Sequence, residues 1–302
     1  MKKSLHFIFL FFLTNLFFCR VSSENPGFTK VWNLNTSWIV SPMQAIDLSN
    51  QGGIWIDARG SEILGSFLNK DIIRISWEEF SSDLPSMGGN LKHRDSILQI
   101  LRDKKIDIQK PLLIMGGANK GWGEEGRIVW MLRSSGIQNT YLVDGGIESV
   151  RKAILNLQQH DSTKVFSKNK ENSQIDSVTS LELVSLKGSN NYILIDTREK
   201  REYDGETPYG EMRGGHIPNA KWLYYKEFLD SDGFVLSKEE IEKKLSLIGY
   251  QNNQTIISYC SGGVRSAFVT AILRSYGFQA KNYPGSMWEY TSLRSEDGFI
   301  LE

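Results

Sequence analysis

Short apolar runs alternate with amphipathic stretches along most of the chain. Runs of four or five apolar residues are typical of strands buried on both faces of a parallel sheet. Stretches with apolar residues every three or four positions predict helices packed on those faces, so the fold class is α/β. The runs predict strands at 53–57, 111–115, 139–143, 192–196, 255–259 and 280–283. The longer stretches predict helices at 95–104, 127–134, 238–247 and 267–274.

The chain repeats its own pattern once. Three stretches recur in the same order at offsets of about 140 residues: 54–59 at 193–198, 132–136 at 273–277, and 141–145 at 281–285. A repeat of this length predicts two domains of one architecture, each a parallel sheet flanked by helices on both faces. The segment between the copies is polar and has no apolar period, as in linkers. We therefore predict domains at 24–155 and 179–302, joined by a linker at 156–178.

A lone cysteine follows the strand predicted at 255–259. From Cys260 the sequence reads Cys-Ser-Gly-Gly-Val-Arg-Ser and leads directly into a predicted helix. At such a junction the loop N–H groups point inward and the helix dipole adds positive charge, which favours an anion. Arg265 adds a full positive charge, and such sites can lower a cysteine pKa from about 8.5 to about 3.5–7.5. Most unpaired cysteines are small buried hydrophobes, but the whole string favours a nucleophile.

The first copy of the repeat lacks this nucleophile. By strand alignment Gly116 stands where the second copy has Cys260, and the loop that follows is longer. Glu124 and Glu125 stand where the second copy has an arginine and a serine, and carboxylates there are expected to repel an anionic donor. The glycine-rich run at 116–121 lacks the ending of a phosphate loop. We predict that the first domain is inactive, a scaffold that can wall the cleft.

Composition restricts the partners. Lys+Arg and Asp+Glu both number 35, so the net charge is zero, and the charge favours neither nucleic acid nor an anionic membrane surface. Hydrophobic residues make up 40% of the chain and charged residues 23%, as in soluble globular proteins. The four histidines are scattered without ligand spacing, so we expect no metal, and no motif calls for a cofactor.

The N-terminus predicts export. Two lysines precede an apolar stretch at 5–18 that is short for a membrane span, and small residues at 21–23 suit cleavage before Glu24. We read 1–23 as a signal peptide whose removal leaves a periplasmic or extracellular protein without a membrane span. A retained N-terminal anchor is the alternative.

The two cysteines of the chain are expected to have different fates. Cys19 follows an apolar stretch in the manner of a lipoprotein site, but Phe18 immediately before it fits that signal poorly. Cleavage of the leader would leave Cys260 as the only cysteine. A single cysteine cannot form an internal disulfide, so in an exported protein it is either idle or chemically employed.

Four stretches of the second copy are similar to the rhodanese family: 196–198, 213–220, 260–266 and 283–288. They read Asp-Thr-Arg, Arg-Gly-Gly-His-Ile-Pro-Asn-Ala, the cysteine loop, and Tyr-Pro-Gly-Ser-Met-Trp. The order of motifs resembles that of a tandem-domain thiosulfate sulfurtransferase. The resemblance implies two rhodanese-like domains and a double displacement. Cys260 takes a sulfane sulfur as a persulfide, and a thiophilic acceptor such as cyanide or a thiol removes it.

The resemblance assigns Cys260 the catalytic role and the rest of its loop the binding of donor and persulfide. That loop comprises Ser261, Gly262, Gly263, Val264, Arg265 and Ser266. Arg265 is expected to hold an anionic donor and to stabilise negative charge. From Cys260 to Arg265 the loop is one residue shorter than in related phosphatases and arsenate reductases, which favours sulfur transfer over phosphate-ester hydrolysis.

Five other residues are expected to support the loop: Asp196, Arg198, Arg201, His216 and Trp288. The first two are expected to hold adjacent elements together, the histidine to fix its own loop, and the tryptophan to form a pocket wall. Two-domain family members often place a donor-binding arginine four residues after Arg198. This chain has Glu202 there, which leaves Arg201 as the substitute.

The preferred interpretation is a thiosulfate sulfurtransferase. The first alternative is 3-mercaptopyruvate as the donor, although the charge on Arg265 mildly favours thiosulfate. The second is a persulfide carrier or binding module that hands sulfur to a partner protein and turns over small donors poorly. The expected partners are therefore a small sulfur donor, a thiophilic acceptor and, for a carrier, an acceptor protein.

Overall fold

Two parallel sheets form the framework of the molecule, one in each copy of the repeat. The structure, a computed structural model, describes residues 27–28, 30–59, 72–84, 88–157 and 177–302. The predicted signal peptide, Cys19 and most of the predicted linker lie outside these residues. The limits of the two domains and of the leader therefore stay predictions.

The N-terminal half contains a five-stranded sheet in the order β1-β5-β4-β2-β3, with every neighbouring pair parallel. Its elements are β1 Ile39–Val40, α1 Pro42–Asn50, β2 Ile54–Asp57, β3 Ile72–Arg74, α2 Arg94–Asp103, β4 Leu112–Met115, α3 Glu124–Ser134, β5 Thr140–Val143 and α4 Gly146–Leu157. The three strands predicted in this half are confirmed to within one residue. The two edge strands were not predicted, because two or three residues carry too little periodicity.

The C-terminal half contains a four-stranded sheet in the order β7-β6-β8-β9, again with parallel neighbours. Its elements are α5 Ser180–Ser185, β6 Tyr192–Asp196, α6 Lys200–Tyr203, β7 Lys221–Trp222, α7 Lys238–Leu247, β8 Thr255–Tyr259, α8 Val264–Ser275, β9 Ala280–Asn282 and α9 Ser286–Ser292. The predicted fold class, two domains each with a parallel sheet and flanking helices, is confirmed.

Alternate residues of each central strand enter different apolar clusters. Ile56 and Ile256 face a central cluster that contains side chains from both halves of the chain. Their neighbours Trp55 and Ile257 face two outer clusters, one behind each sheet. This alternation is the two-residue period of strands covered on both faces. The two halves therefore share one continuous core between their sheets.

Helices α3 and α8 form the centre of that shared core. Both are almost entirely buried, and they pack directly on each other. At Gly126 the helices come so close that an added Cβ would lie 2.5 Å from the Cα of Phe268. Glycine at this position is therefore required by packing, and it brings the first turn of α3 next to the loop that precedes α8.

Among the helices that the structure describes, none is long and apolar enough to cross a membrane.

Candidate active site

Cys260 lies at the carboxyl end of the central strand β8, where the chain turns into α8. Its side chain is only 1% exposed. Its N–H donates to the hydroxyl of Ser286 over 3.0 Å, and its carbonyl accepts from the N–H of Met287 over 3.0 Å. Gly263, the last residue before the helix, has φ 76°, and an added Cβ would lie 2.3 Å from the carbonyl oxygen of Pro284. The loop is thus fixed from both sides.

The environment of the sulfur favours the thiolate. The hydroxyl of Ser266, in the first turn of α8, donates to Sγ of Cys260 over 3.6 Å. Burial raises the pKa of the thiol, but the Arg265 guanidinium and the N–H and hydroxyl groups of Ser266 lower it more. The pKa of Cys260 therefore lies below that of an ordinary cysteine, as expected for a nucleophilic sulfur at a helix N-terminus.

Arg265 is buried and already paired. Its Nη1 and Nη2 atoms donate to the two carboxylate oxygens of Glu202 over 2.6 and 2.8 Å, and Nη2 also donates to the hydroxyl of Ser261 over 2.7 Å. Ser261 in turn donates to Glu202 over 2.8 Å. The expectation that Arg265 is free to hold an anionic donor is therefore incomplete, because a carboxylate from α6 neutralises most of its charge.

The open space in front of the cysteine is a small aromatic pocket of about 220 Å³. It is lined by Trp77, Trp122 and Glu124 from the N-terminal half and by Tyr209, Cys260, Ser261, Gly262, Val264, Arg265 and Trp288 from the C-terminal half. An added Cβ at Gly262 would lie 2.2 Å from the indole of Trp288, so glycine is needed for the ring to cover the loop. The first copy of the repeat therefore supplies part of the pocket wall.

A second arginine reaches the active loop from the N-terminal half. Arg127 on α3 is fully buried, and its Nη1 donates to the carbonyl of Gly263 over 3.3 Å. Its Nη2 donates to the carbonyl of Gly89 over 2.5 Å. The sequence predicts Arg127 only as the first residue of a helix at 127–134. No local pattern shows its role, which arises because α3 packs on α8.

The supporting residues are distributed over several environments. Asp196 and Arg198 form a buried bidentate ion pair at the end of β6, with Nη2 and Oδ2 separated by 2.7 Å. Arg198 also donates to the carbonyl of Gly215, which ties β6 to the loop before β7. Trp288 lines the pocket and donates through Nε1 to the carbonyl of Tyr209.

The other two candidates do not line the pocket, although Arg201 donates to the hydroxyl of the pocket residue Tyr209 over 3.2 Å. Arg201 is half-exposed and pairs with Glu199 over 2.7 Å and with Glu206 over 3.4 Å. It does not line the pocket, so its proposed role as the donor-binding arginine has no geometric support. His216 stacks on Tyr203 with ring centroids 3.7 Å apart, and its Nδ1 lies 3.1 Å from the Tyr203 carbonyl oxygen. These contacts belong to the loop before β7.

In the N-terminal half a carboxyl group occupies the space that corresponds to the cysteine side chain. An added Cβ at Gly116 would lie 2.1 Å from Oε2 of Glu125. Oε1 of Glu125 accepts the N–H of Ala118 over 3.1 Å. Burial and the neighbouring Glu124 raise the pKa of Glu125 to about 8. The raised pKa reduces the negative charge expected on Glu125, so the repulsion of an anionic donor by this residue is weaker than its position in the sequence suggests.

Comparisons with known proteins agree with this geometry. Residues 179–293 match the family model of the rhodanese-like domain. This part of the chain is therefore a rhodanese-like domain. It is 28% identical over 241 residues to the sulfur carrier protein TtuD of Thermus thermophilus, covering 72% of this chain and 75% of the relative. It is 23% identical over 209 residues to the thiosulfate sulfurtransferase of Azotobacter vinelandii, covering 68% and 71%.

Solved structures show the same rhodanese fold. The 3-mercaptopyruvate sulfotransferase SseA from Escherichia coli superposes with a TM-score of 0.64 at 22% identity, over 83% of this chain and 99% of that one. An anaerobic ergothioneine biosynthesis enzyme from Chlorobium limicola superposes with a TM-score of 0.71 at 15% identity, over 88% and 70%. Within the residues described, no group of three or more His, Cys, Asp or Glu side chains is arranged to hold a metal ion.

Proposed function

We propose that this rhodanese-family protein moves a sulfane sulfur from thiosulfate to a thiophilic acceptor through a persulfide on Cys260. The observation that carries the proposal is the setting of Cys260 at the N-terminus of α8, where its pKa lies below that of an ordinary cysteine. A thiolate in such a site is both nucleophilic and stabilised, which covalent sulfur transfer requires.

Two displacements complete the reaction. In the first, the Cys260 thiolate attacks the outer sulfur of thiosulfate, the S–S bond of the donor breaks, and sulfite leaves with the bonding electrons. In the second, an acceptor such as cyanide attacks the terminal sulfur of the persulfide. The Cys260 S–S bond then breaks, thiocyanate leaves, and the thiolate is restored. Because each half-reaction begins and ends with an anionic sulfur on Cys260, the same loop can stabilise both.

3-Mercaptopyruvate is a second candidate donor. The pairing of Arg265 with Glu202 favours it, because a neutralised arginine offers less to the doubly charged thiosulfate than a free one. A sulfur carrier is a third candidate, since one relative along most of the chain has that name. A carrier would also form the Cys260 persulfide, but it would release sulfur slowly to small acceptors.

Intact mass and thiocyanate release together test the proposal. After incubation with thiosulfate, the wild type is expected to gain one sulfur atom and Cys260→Ser none. Cyanide is then expected to release thiocyanate from the wild type alone. The same pair of measurements with 3-mercaptopyruvate ranks the donors. Persulfide formation with negligible thiocyanate release would indicate a carrier, and no gain of sulfur from either donor would contradict the proposal.

We also propose that the protein is exported, on the basis of the charged and apolar sequence at 1–23. Expression of the full chain in a bacterial host, followed by fractionation and N-terminal mass analysis, tests this. A periplasmic protein that begins at Glu24 is expected. A cytoplasmic protein that retains Met1 would contradict it.

A further inference from the structure

Arg127 carries a buried charge without a close counter-charge. It is 0% exposed, and its three hydrogen-bond acceptors are neutral: the carbonyls of Gly263 and Gly89 and the hydroxyl of Ser81. Across the described ranges no carboxylate lies within 4 Å of it, and its Nε has no partner. Because an unpaired buried charge costs several kcal/mol, such a group persists where a nearby anion compensates it.

The groups that face Arg127 identify that anion. Burial lowers its pKa to about 10, and the charges that raise it again are Cys260 first and Glu78 second. Its guanidinium also lies near two indoles, with centroids at 4.9 Å for Trp130 and 5.8 Å for Trp77, and such contacts favour a cation. The sulfur of Cys260 is therefore the main negative partner available to this cation.

Arg265, the first cation beside Cys260, is partly neutralised by its own ion pair. The charged groups around Cys260 are Arg265 and Glu202 from the C-terminal half and Arg127 and Glu124 from the N-terminal half. The bidentate ion pair with Glu202 offsets part of the charge of Arg265, although Arg265 is still the largest of the charges that lower the pKa of Cys260. The guanidinium of Arg127, across the domain boundary, adds a second positive charge to the potential at the sulfur.

We propose that Arg127 is a positioning residue for sulfur transfer, through which the half of the protein without a nucleophile supplies a second cation, beside Arg265, that helps to keep the sulfur on Cys260 anionic. Arg127 also holds the Gly263 carbonyl and thereby the turn into α8. The inference rests on the proposed function only in saying that the anionic sulfur serves sulfur transfer. The ionisation of Cys260 itself can be measured without any sulfur donor.

The test is the pH dependence of Cys260 alkylation by iodoacetamide in the full chain. Arg127→Met and Arg127→Gln remove the charge, and the second keeps a hydrogen-bond donor. Both are expected to move the midpoint of the alkylation profile to higher pH by about one unit. At a pH below the midpoint, this shift lowers the alkylation rate by about tenfold. Arg127→Lys is expected to restore most of the shift. The matched control is Arg133→Met, which removes another buried arginine of α3, bonded to the carbonyls of Thr140 and Ser37. It should leave the midpoint unchanged.

Midpoints in the two neutral variants equal to that of the wild type would overturn the inference. If neither variant folds, the wild type still decides the question by thermal melting of two nearly isosteric adducts. The anionic carboxymethyl adduct of Cys260 is expected to melt at a higher temperature than the neutral carbamidomethyl adduct, and the opposite order would overturn the inference. Failure of the proposed function alone gives a different result. The alkylation midpoints of the wild type and the Arg127 variants would then differ as expected, but Cys260 would gain no sulfur from thiosulfate or 3-mercaptopyruvate.

Discussion

The loops that follow β4 and β8 occupy equivalent places in the two sheets but have opposite contents. Strand β2 pairs Asp57 with Met115, and β6 pairs Asp196 with Tyr259, so Gly116 and Cys260 both come one residue after matching register positions. In the second loop the cradle holds a thiol, whereas in the first it holds the carboxyl group of Glu125. The two halves share a backbone plan, but in the first half a side chain of the protein itself fills the place where the second half holds its sulfur.

Comparing the two halves also distinguishes residues with a structural role from residues that take part in the proposed reaction. Both halves keep an aspartate and an arginine two residues apart at the end of the first central strand, and both pairs are ion pairs. Asp57 lies 3.1 Å from Arg59, and Asp196 lies 2.7 Å from Arg198. Because the pair survives in the half without a nucleophile, its contribution is to hold the sheet end together. The cysteine, Ser266, Arg265 and Glu202 belong only to the second half.

The largest expected effect comes from moving the nucleophile. In a Cys260→Ser background, Gly116→Cys is expected to give no thiocyanate release above that of Cys260→Ser alone, a loss of at least about a thousandfold from wild type. The reason is that the new side chain collides with Glu125. The measurement is cyanide-dependent thiocyanate release, with Gly116→Cys alone as the control that the fold survives. Activity in the double variant near that of the wild type would contradict the conclusion that the loop after β4 has no room for a reactive sulfur.

The next effect concerns the pair that only the second loop contains. Glu202→Gln is expected to lower the free energy of unfolding by about 3–5 kcal/mol, because it leaves the buried Arg265 without its counter-charge. It should also lower the pKa of Cys260, since the Glu202 charge raises it. Denaturant unfolding and the alkylation midpoint measure the two effects.

The matched control for that change is Glu199→Gln, which removes a partly exposed carboxylate paired with Arg201. An exposed pair of this kind contributes about 0–1 kcal/mol to the free energy of unfolding.

The contribution of Glu202 should also depend on pH. Burial raises the pKa of Glu202, but hydrogen bonds from Arg265 outweigh it, so the pKa is lowered. Its contribution to stability is therefore lost as the pH falls through that lowered pKa, in the wild type only. Equal unfolding energies for the two variants would contradict this account.

The smallest effect concerns the filled cradle of the first loop. Burial raises the pKa of Glu125 from 4.5 to about 8, so between these values the folded protein holds a proton that the unfolded chain has released. The free energy of unfolding should therefore fall as the pH rises through this window, and Glu125→Gln should make the fall shallower. Burial also raises the pKa of Asp144 to about 7. Asp144 therefore contributes a fall in the free energy of unfolding that remains in Glu125→Gln.

Melting of the wild type and of Glu125→Gln across pH 4 to 9 provides the measurement. Below the lower end of the window both side chains are neutral, so the two proteins act as each other's control there. Identical slopes above it would show that Glu125 is ionised in the folded protein. The first loop would then exclude anions by charge as well as by occupancy.

The sequence was sufficient for the features that depend on local pattern. The central strands, the helix after the nucleophile and helix α7 follow from apolar runs and amphipathic stretches. In α7 the Ser237 hydroxyl accepts the N–H of Glu240 over 3.2 Å, and Gly249, past the helix, has φ 91°. The two-residue strands β1 and β7 are fixed by their neighbours and could not be predicted from their own residues.

The contacts between site residues could not be predicted, because they join residues that are far apart in the sequence. Glu202 was noted as a departure from the family pattern, but its partner Arg265 lies 63 positions away along the chain. Arg127 is separated from Gly263 by 136 positions. Such pairs arise from the packing of α3 and α6 around the active loop, and only the assembled fold shows them.

The close approach of Gly126 to Phe268 has a consequence for how reactants enter. With two helices in near backbone contact and one core beneath both sheets, the halves cannot swing apart like a clamshell. Access to the sulfur must then run through the pocket in front of it, whose wall includes Trp122, a side chain that is 41% exposed. Rotation of an exposed side chain is fast compared with domain hinging, so admission of small molecules should not limit turnover.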